Sequence, residues 1–353
     1  MLTSELAEVR RIISHANCPD GMASAMILKD ALPSATVELV QYGTTAHQQL
    51  ACTPGMLFCD MSPPAERVAE FVEAGAIVLD HHKSAKGVID AFGERGVYAD
   101  AELEPGVSGA LLAYMHVWRL LDPRAEYGPA RFADTPGLGW TLPSRSLAFS
   151  MLAGVRDTWQ THDPRWPEAC AQAQALLFWG EQRLLGDGHP PWLSAEELEV
   201  GRVLYQQQLR RADDVARNLY VLGVFAFFND TTAALVSDVA EAVRSYPKGP
   251  PESLVTIPAM HARVLVSYAV KTNDARGLRY AYSLRALDDD VDVSELAALI
   301  SGGGHKGAAG GYIDMDPQVM VLPEPCAAFL GRFYPFNAFR SLLGSPATAR
   351  AMR

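Results

Sequence analysis

Met56-Leu-Phe-Cys-Asp60-Met-Ser-Pro-Pro-Ala65-Glu-Arg-Val-Ala-Glu-Phe-Val-Glu-Ala74-Gly75-Ala76-Ile-Val-Leu-Asp80-His81-His82 is the stretch on which the fold turns. Two apolar runs of strand length, Met56 to Asp60 and Ala76 to Asp80, each end in a carboxylate. Between them, Ala65 to Ala74 is apolar at helical spacing and is stopped by Gly75. Strand, helix and strand at this spacing make a βαβ unit, and such units build parallel sheets. The pattern extends backwards. Arg11 to His15 is another apolar run, closed by the turn residues Pro19-Asp20-Gly21. Met22 to Ala31 has helix-forming composition, and Val37 to Tyr42 reads as a strand. The expected class is α/β, with a parallel sheet in the amino-terminal part.

Downstream, helices are expected at Gly109 to Leu121 and Ser146 to Val155, the second leading into Arg156-Asp157. Asp122 to Pro143 is rich in Pro, Gly and Asp and reads as a long loop or insertion. Ala169 to Asn218 holds two helical stretches broken by Gly186-Asp-Gly-His-Pro-Pro191. A second unit opens at Tyr220 to Phe228, which reads as one buried strand. Thr232 to Arg244 reads as a helix, Ala262 to Val270 with Leu278 to Ala286 as a hairpin, and Val293 to Ile300 as a short helix. Gly302 to Gly311 reads as a glycine-rich loop, and the tail after Ser345 as frayed. The expected division is a ligand-bearing domain at 1–168, a helical connector at 169–218, a smaller α/β domain at 219–340 and a tail at 341–353.

A chain of 353 residues accommodates two such cores. Its 41 acidic and 30 basic side chains give a net charge of −11, which argues against a broad basic footprint for duplex DNA or anionic membrane. No stretch approaches the roughly 18 apolar residues of a spanning helix, and the first residues lack a basic-then-apolar signal, so a cytoplasmic protein is expected. The cysteines (Cys18, Cys52, Cys59, Cys170, Cys326) form no Cys-x-x-Cys pair, which points to reduced thiols and away from a zinc ribbon.

His15 with Asp20, then Asp60, then Asp80-His81-His82 fall at the ends of successive strands, where open α/β sheets hold ligands. Singly, each reads as turn or cap chemistry; three in one series point to a metal centre. Carboxylate with imidazole suits manganese, iron or zinc better than magnesium. Two metals about 3.5–4 Å apart need a bridging carboxylate, and Asp60 is placed to be it. In Leu278 to Ala286, alternation puts Arg279, Ser283 and Arg285 on one face and Tyr280, Tyr282 and Leu284 on the other. A plain amphipathic strand reads the same way, but the neighbouring glycines offer backbone N–H groups to an anion, with His305 and Lys306 as donors. Trp159 and Trp166 read either as base-stacking residues or as core.

Val78-Leu-Asp80-His81-His82 resembles the signature of the DHH phosphoesterase superfamily. Ser14-His15-Ala-Asn17-Cys18-Pro-Asp20-Gly21 resembles its first motif, Phe58-Cys-Asp60-Met-Ser62 its second and Gly154-Val-Arg-Asp157 its fourth. Gly302-Gly-Gly-His305-Lys-Gly-Ala-Ala-Gly310 is similar to the hallmark loop of the DHH-associated carboxy-terminal domain. The ordered set spans roughly residues 10 to 315. It is similar to the nano-RNase (oligoribonuclease) and RecJ-like exonuclease members.

The resemblance implies a two-domain enzyme with its active site in the interdomain cleft and two metal ions, usually Mn2+, other divalent ions being compatible. One ion would take His15 and Asp60; the other Asp20, bridging Asp60, His81 and Asp157. Asp80 and His82 would complete the catalytic set, Asp80 holding ligands or water and His82 contacting phosphate. Arg279, Arg285, Gly303, Gly304, His305 and Lys306 would bind substrate. One departure stands out: the first motif commonly offers two Asp residues after its His, and here only Asp20 remains. Asn17 could ligate through its amide oxygen, Cys18 as a thiolate, or neither. The expected activity is metal-dependent phosphodiester hydrolysis of short single-stranded RNA or DNA, or of dinucleotides, by metal-activated water. The alternatives are a single-strand exonuclease on longer DNA and a nucleic-acid-binding module whose metal site has decayed. Polyphosphate hydrolysis is disfavoured, since members restricted to it carry a different carboxy-terminal domain. No membrane partner is expected, and pairing into a homodimer stays open.

Overall fold

A short helix, α1 (Thr3–Ala7), leads into β1 (Arg11–His15), and helices and strands then alternate: α2 (Pro19–Ala31), β2 (Thr36–Val40), α3 (Thr45–Gln48), β3 (Met56–Cys59), α4 (Val68–Glu73), β4 (Ile77–Asp80), α5 (Lys86–Asp90), β5 (Gly96–Tyr98) and α6 (Gly109–Ala113). The computed structural model describes residues 3–100, 103–104, 106–118, 145–186, 192–229, 236–246, 261–273, 277–304, 306–314 and 329. The loop read at 122–143, the tail after 345 and the start of the helix read from 232 lie outside them, as does most of the break at 186–191. Two compact units divide the chain, Met1–Tyr205 and Gln206–Arg353.

In the first unit the five strands are all parallel, in the order β2-β1-β3-β4-β5. β3 and β4 are buried at every position, as parallel strands covered on both faces must be. Alternation sorts their side chains. Ile12, Leu57, Cys59, Ile77 and Leu79 face one core with α2 and α6. Ile13, Met56, Phe58 and Val78 face the other, with Phe71 of α4 and Ile89 of α5. The helix expected from Gly109 changes character after its first turn, passing from α6 into a π-helical turn at Tyr114–Trp118. Further helices are α7 (Arg145–Asp157), α8 (Trp166–Leu185) and α9 (Ala195–Arg217), the unit boundary falling inside α9. Ala175 and Leu176 of α8 join the core against α2, so this part of the expected connector packs as a piece of the first unit.

The second unit holds β6 (Tyr220–Leu222), β7 (Phe225–Asn229), α10 (Val236–Ser245), β8 (Val264–Asn273), β9 (Gly277–Ala286), α11 (Val293–Ala298), β10 (Gly303–Gly304) and β11 (Ala308–Asp314). Its sheet runs β10-β11-β9-β8-β7-β6, with only β7 and β8 parallel. The run expected as one buried strand is a hairpin: Gly223 turns at φ +59° and folds β6 back on β7. The glycine-rich stretch is likewise a hairpin rather than a loop. A Cβ at Gly302 would lie 1.9 Å from the Gly310 carbonyl oxygen, so backbone meets backbone there. Tyr280, Tyr282 and Leu284 are buried against Val293 and Leu296 of α11, while α10 packs with Ala226, Phe228 and Leu265 on the opposite face. No described helix is long and apolar enough to cross a membrane.

Candidate metal centre

The strand order reverses between β1 and β3: the chain steps outward from β1 to β2, then returns to the far side of β1. Ligand sites form at the carboxyl ends of strands at such a switch point. His15 is the last residue of β1, Asp60 follows β3, and Asp80-His81-His82 closes β4. Asp20 lies in the first turn of α2, yet its carboxylate is buried. It accepts hydrogen bonds from the backbone N–H groups of Gly109 at 2.6 Å and Ala110 at 3.1 Å, the unpaired donors that begin α6. Gly109 permits this approach, because a Cβ there would stand 2.5 Å from the Cβ of Asp60. Asp157 enters from the end of α7.

These side chains converge. The His81 Nε2 atom lies 3.2 Å from Asp60 Oδ1, 3.5 Å from Asp157 Oδ2 and 3.7 Å from Asp20 Oδ2. On the other side of Asp60, Oδ2 faces His15 Nδ1 at 3.7 Å. Three donor groups result among the described residues, Asp20–His81–Asp157, His15–Cys18–Asp60 and Asp60–His81–His82, each with its ligand atoms within 4.8 Å of one another. Asp60 touches both sides, one oxygen each. His15 Nδ1 and Asp60 Oδ2 are buried and have no hydrogen-bond partner among the described residues. Buried polar atoms are ordinarily satisfied, and a divalent cation is what this donor set fits.

The electrostatics point the same way. Burial and the charges of Asp60 and Asp157 push the Asp20 carboxyl well above its ordinary value. Burial also raises Asp60, but the neighbouring imidazoles of His15 and His81, the latter hydrogen-bonded to it at 3.2 Å, outweigh burial and hold that group well below. For His81, burial alone would lower the pKa; the Asp60 hydrogen bond and the charges of Asp157, Asp60 and Asp20 carry it up to about 10. Without a metal, a proton on His81 offsets the carboxylates. Burial, followed by the charges of Asp60, Asp157 and Asp20, raises the Cys18 thiol well above its usual range.

Asp80 is in none of these donor groups; both of its oxygens are taken by neighbouring donors. One oxygen accepts from His82 Nδ1 at 2.7 Å and from the His82 backbone N–H at 3.1 Å. The other accepts from the hydroxyls of Ser62 at 2.7 Å and Tyr42 at 3.1 Å. Against its burial, Asp80 raises His82 to about 9 and holds its ring through Nδ1, while ligand atoms of Asp60 and His81 also lie within 4.8 Å of a ring nitrogen of His82. A cavity of about 400 Å3 adjoins it, lined by Tyr42, His47, Ser62 and His82 among others. Tyr42 and Gln41, whose amide stands 3.2 Å from His15 Nε2, carried no signal in the sequence, because only the strand order brings the end of β2 here. Ser62 stood inside the second motif and could have been found.

In the second unit, Arg279 and Arg285 share a sheet face with Ser283, as alternation requires. Arg279 lies 3.3 Å from Asp314 and stacks on Tyr312 at 4.1 Å, while Arg285 donates to Ser237 Oγ at 2.8 Å. Gly303 and Gly304 form edge strand β10, and Lys306 lies in the turn to β11. His305 lies outside the described residues. Trp159 and Trp166 pack edge-to-face on each other at 5.0 Å with Arg156 over both rings.

A solved DHH-domain structure, described as a member of the s1p family of ribosomal proteins, superposes with TM-score 0.52, covering 94% of this chain and 88% of that one at 10% identity. The chain has the DHH-domain fold. No protein-family model matches the chain, and no curated protein matches it in sequence. Weaker likenesses to other solved structures include a pGpG-specific phosphodiesterase from Vibrio cholerae, with TM-score 0.43 and 12% identity over 87% of this chain and 94% of that one. Another is the exonuclease RecJ bound to manganese, with TM-score 0.46 and 15% identity over 96% and 91%. In this fold, His15, Asp20, Asp60, His81 and Asp157 come together around Asp60.

Proposed function

We propose that the protein is a metal-dependent phosphodiesterase that cleaves short single-stranded oligonucleotides or dinucleotides. The observation that carries this reading is the meeting of His15, Asp20, Asp60, His81 and Asp157 at the switch point, with Asp20, Asp60 and His81 buried, Asp157 entering from the exposed side, and the buried His15 Nδ1 and Asp60 Oδ2 atoms without hydrogen-bond partners among the described residues. Two divalent ions, Mn2+ foremost, held by His15 with Asp60 and by Asp20, Asp60, His81 and Asp157, would activate a water for attack on phosphorus and offset phosphate charge. Asp60 would join the two positions through its separate oxygens. Asp20 would hold its place through the N–H groups of α6. His82, oriented by Asp80, would donate from Nε2 to a phosphate oxygen as negative charge develops there. Water adds to phosphorus, the bond to the leaving oxygen breaks, and a phosphate monoester and an alcohol result.

Arg279, Arg285, Lys306, His305 and the glycines of β10 are our candidates for holding the rest of the substrate, on the chemistry of cations and backbone N–H groups. The acidity of the chain supports a short substrate over a long strand. The test is an Mn2+-supported hydrolysis panel of linear and cyclic dinucleotides, a short RNA and a long single-stranded DNA. We expect the dinucleotide or short RNA to turn over fastest. Faster cleavage of the long strand would replace this reading with a processive exonuclease. Tight oligonucleotide binding with no cleavage and less than one metal per chain would replace it with a decayed binding module.

A further inference from the structure

The two sides of Asp60 offer different chemistry. Beside Oδ1 stands the His81 imidazole, with the carboxylates of Asp20 and Asp157 at 3.7 and 3.5 Å from its Nε2 and His82 also grouped with Asp60 and His81. Around Oδ2 stand one imidazole, from His15, and a sulfur, from Cys18. Cys18 occupies the N-cap position of α2 with an extended backbone, yet its side chain makes no capping hydrogen bond. Its sulfur lies within 4.8 Å of ligand atoms of His15 and Asp60. Those two supply the independent pointer to a ligand, since Asp60 is fully buried and Asp60 Oδ2 and His15 Nδ1 both lack partners among the described residues.

The spacing suits a tetrahedral ion. Nitrogen and oxygen donors at about 2.0–2.1 Å from such an ion stand about 3.3–3.4 Å apart. His15 Nδ1 and Asp60 Oδ2 stand at 3.7 Å, so the ion has only to draw them in by a few tenths of an ångström. Three protein donors with one open position is also the arrangement of zinc sites that act on a substrate.

We propose that Cys18 is a thiolate ligand of the ion held by His15 and Asp60, making that position selective for a thiophilic divalent metal such as Zn2+. The Asp20–His81–Asp157 position keeps an oxygen-rich shell suited to Mn2+. This rests on the two-metal reading above. Thiolate favours zinc and cobalt, whereas carboxylate favours manganese, and the divalent series already ranks Mn2+ weakest at any mixed site. As the sulfur–metal bond forms, the S–H proton passes to the buffer. The centre is then heterobimetallic, its two positions sharing Asp60 and differing in softness.

The experiment titrates the metal-stripped full chain with Co2+ alone, reading absorbance, with bound cobalt counted by mass spectrometry. The expected result is two cobalt ions per chain and a thiolate-to-cobalt charge-transfer band in the near ultraviolet that saturates at the first equivalent. Cys18→Ser loses the band, and Cys52→Ser, a thiol outside the cluster, keeps it. X-ray absorption on the zinc-loaded wild type gives one sulfur neighbour at about 2.3 Å, a readout independent of whether any variant folds. Two bound cobalt ions without the band, or a band that survives in Cys18→Ser, overturn the thiolate ligand and leave the phosphodiesterase reading standing. A chain that binds no cobalt at all overturns both.

Discussion

Asp60 leaves β3 with φ at +58°, a left-handed conformation that costs an L-residue roughly 1–2 kcal/mol and that aspartate tolerates better than most. That backbone, anchored by its N–H to the Leu79 carbonyl at 3.0 Å, accompanies the placement of one carboxylate oxygen toward His81 and the other toward His15. Asp80 works differently, spending both oxygens on His82, Ser62 and Tyr42. Asp80→Asn is expected to lower activity or metal affinity about 10–100-fold, the usual cost of removing a group that orients an active-site partner. It should also let the His82 pKa fall from about 9 toward its ordinary 6.5, which an NMR titration reads directly. His82→Ala should cost about 10²–10³ in turnover with bound metal unchanged; an equal loss of metal would assign His82 to the metal shell instead.

At the scale of elements, the start of α6 braces the centre, because Asp20 satisfies its first N–H groups while Gly109 presses on Asp60. Gly109→Ala drives a Cβ to 2.5 Å from Asp60 Cβ and 3.0 Å from Asp20 Oδ2. Overpacking of this kind costs about 1–3 kcal/mol, and both carboxylates must move, so calorimetry should find a less stable chain with weaker metal binding. A stable variant with unchanged metal affinity would show that the brace is dispensable. Much here was legible beforehand. The β3–α4–β4 unit announced itself by two apolar runs ending in carboxylates, and the ligand candidates stood at those ends. Other features were hidden for physical reasons. A continuous apolar run cannot show that Gly223 turns inside it, and consecutive glycines read as loop whether or not their backbones pair. Strand order depends on long-range packing, so the arrival of Tyr42 and Gln41 beside the histidines had no local signature.

For the whole molecule, the net charge of −11 includes carboxylates that crowd together in the first unit around His81. The metal-free chain should show this in its pH dependence. His81 ordinarily titrates at 6.5 and in the fold at about 10, so between those values the folded chain holds a proton that the unfolded chain has lost. That contribution is full below pH 6.5 and disappears as pH rises through about 10, and His82 behaves alike up to about 9. Melting temperature without metal should therefore fall from pH 7 to pH 10; a flat or rising profile would contradict the buried charge arrangement. Metal must displace the His81 proton, so binding should release protons, seen as a buffer-dependent calorimetric enthalpy, and should stabilise the fold by about 2.7 kcal/mol at a hundred times its Kd. The most direct test of the central claim is the rate of Mn2+-supported dinucleotide hydrolysis in wild type, Asp80→Ala and His81→Ala. The account predicts metal-dependent turnover in the wild type that drops by orders of magnitude in each variant; undiminished hydrolysis in both variants would contradict it.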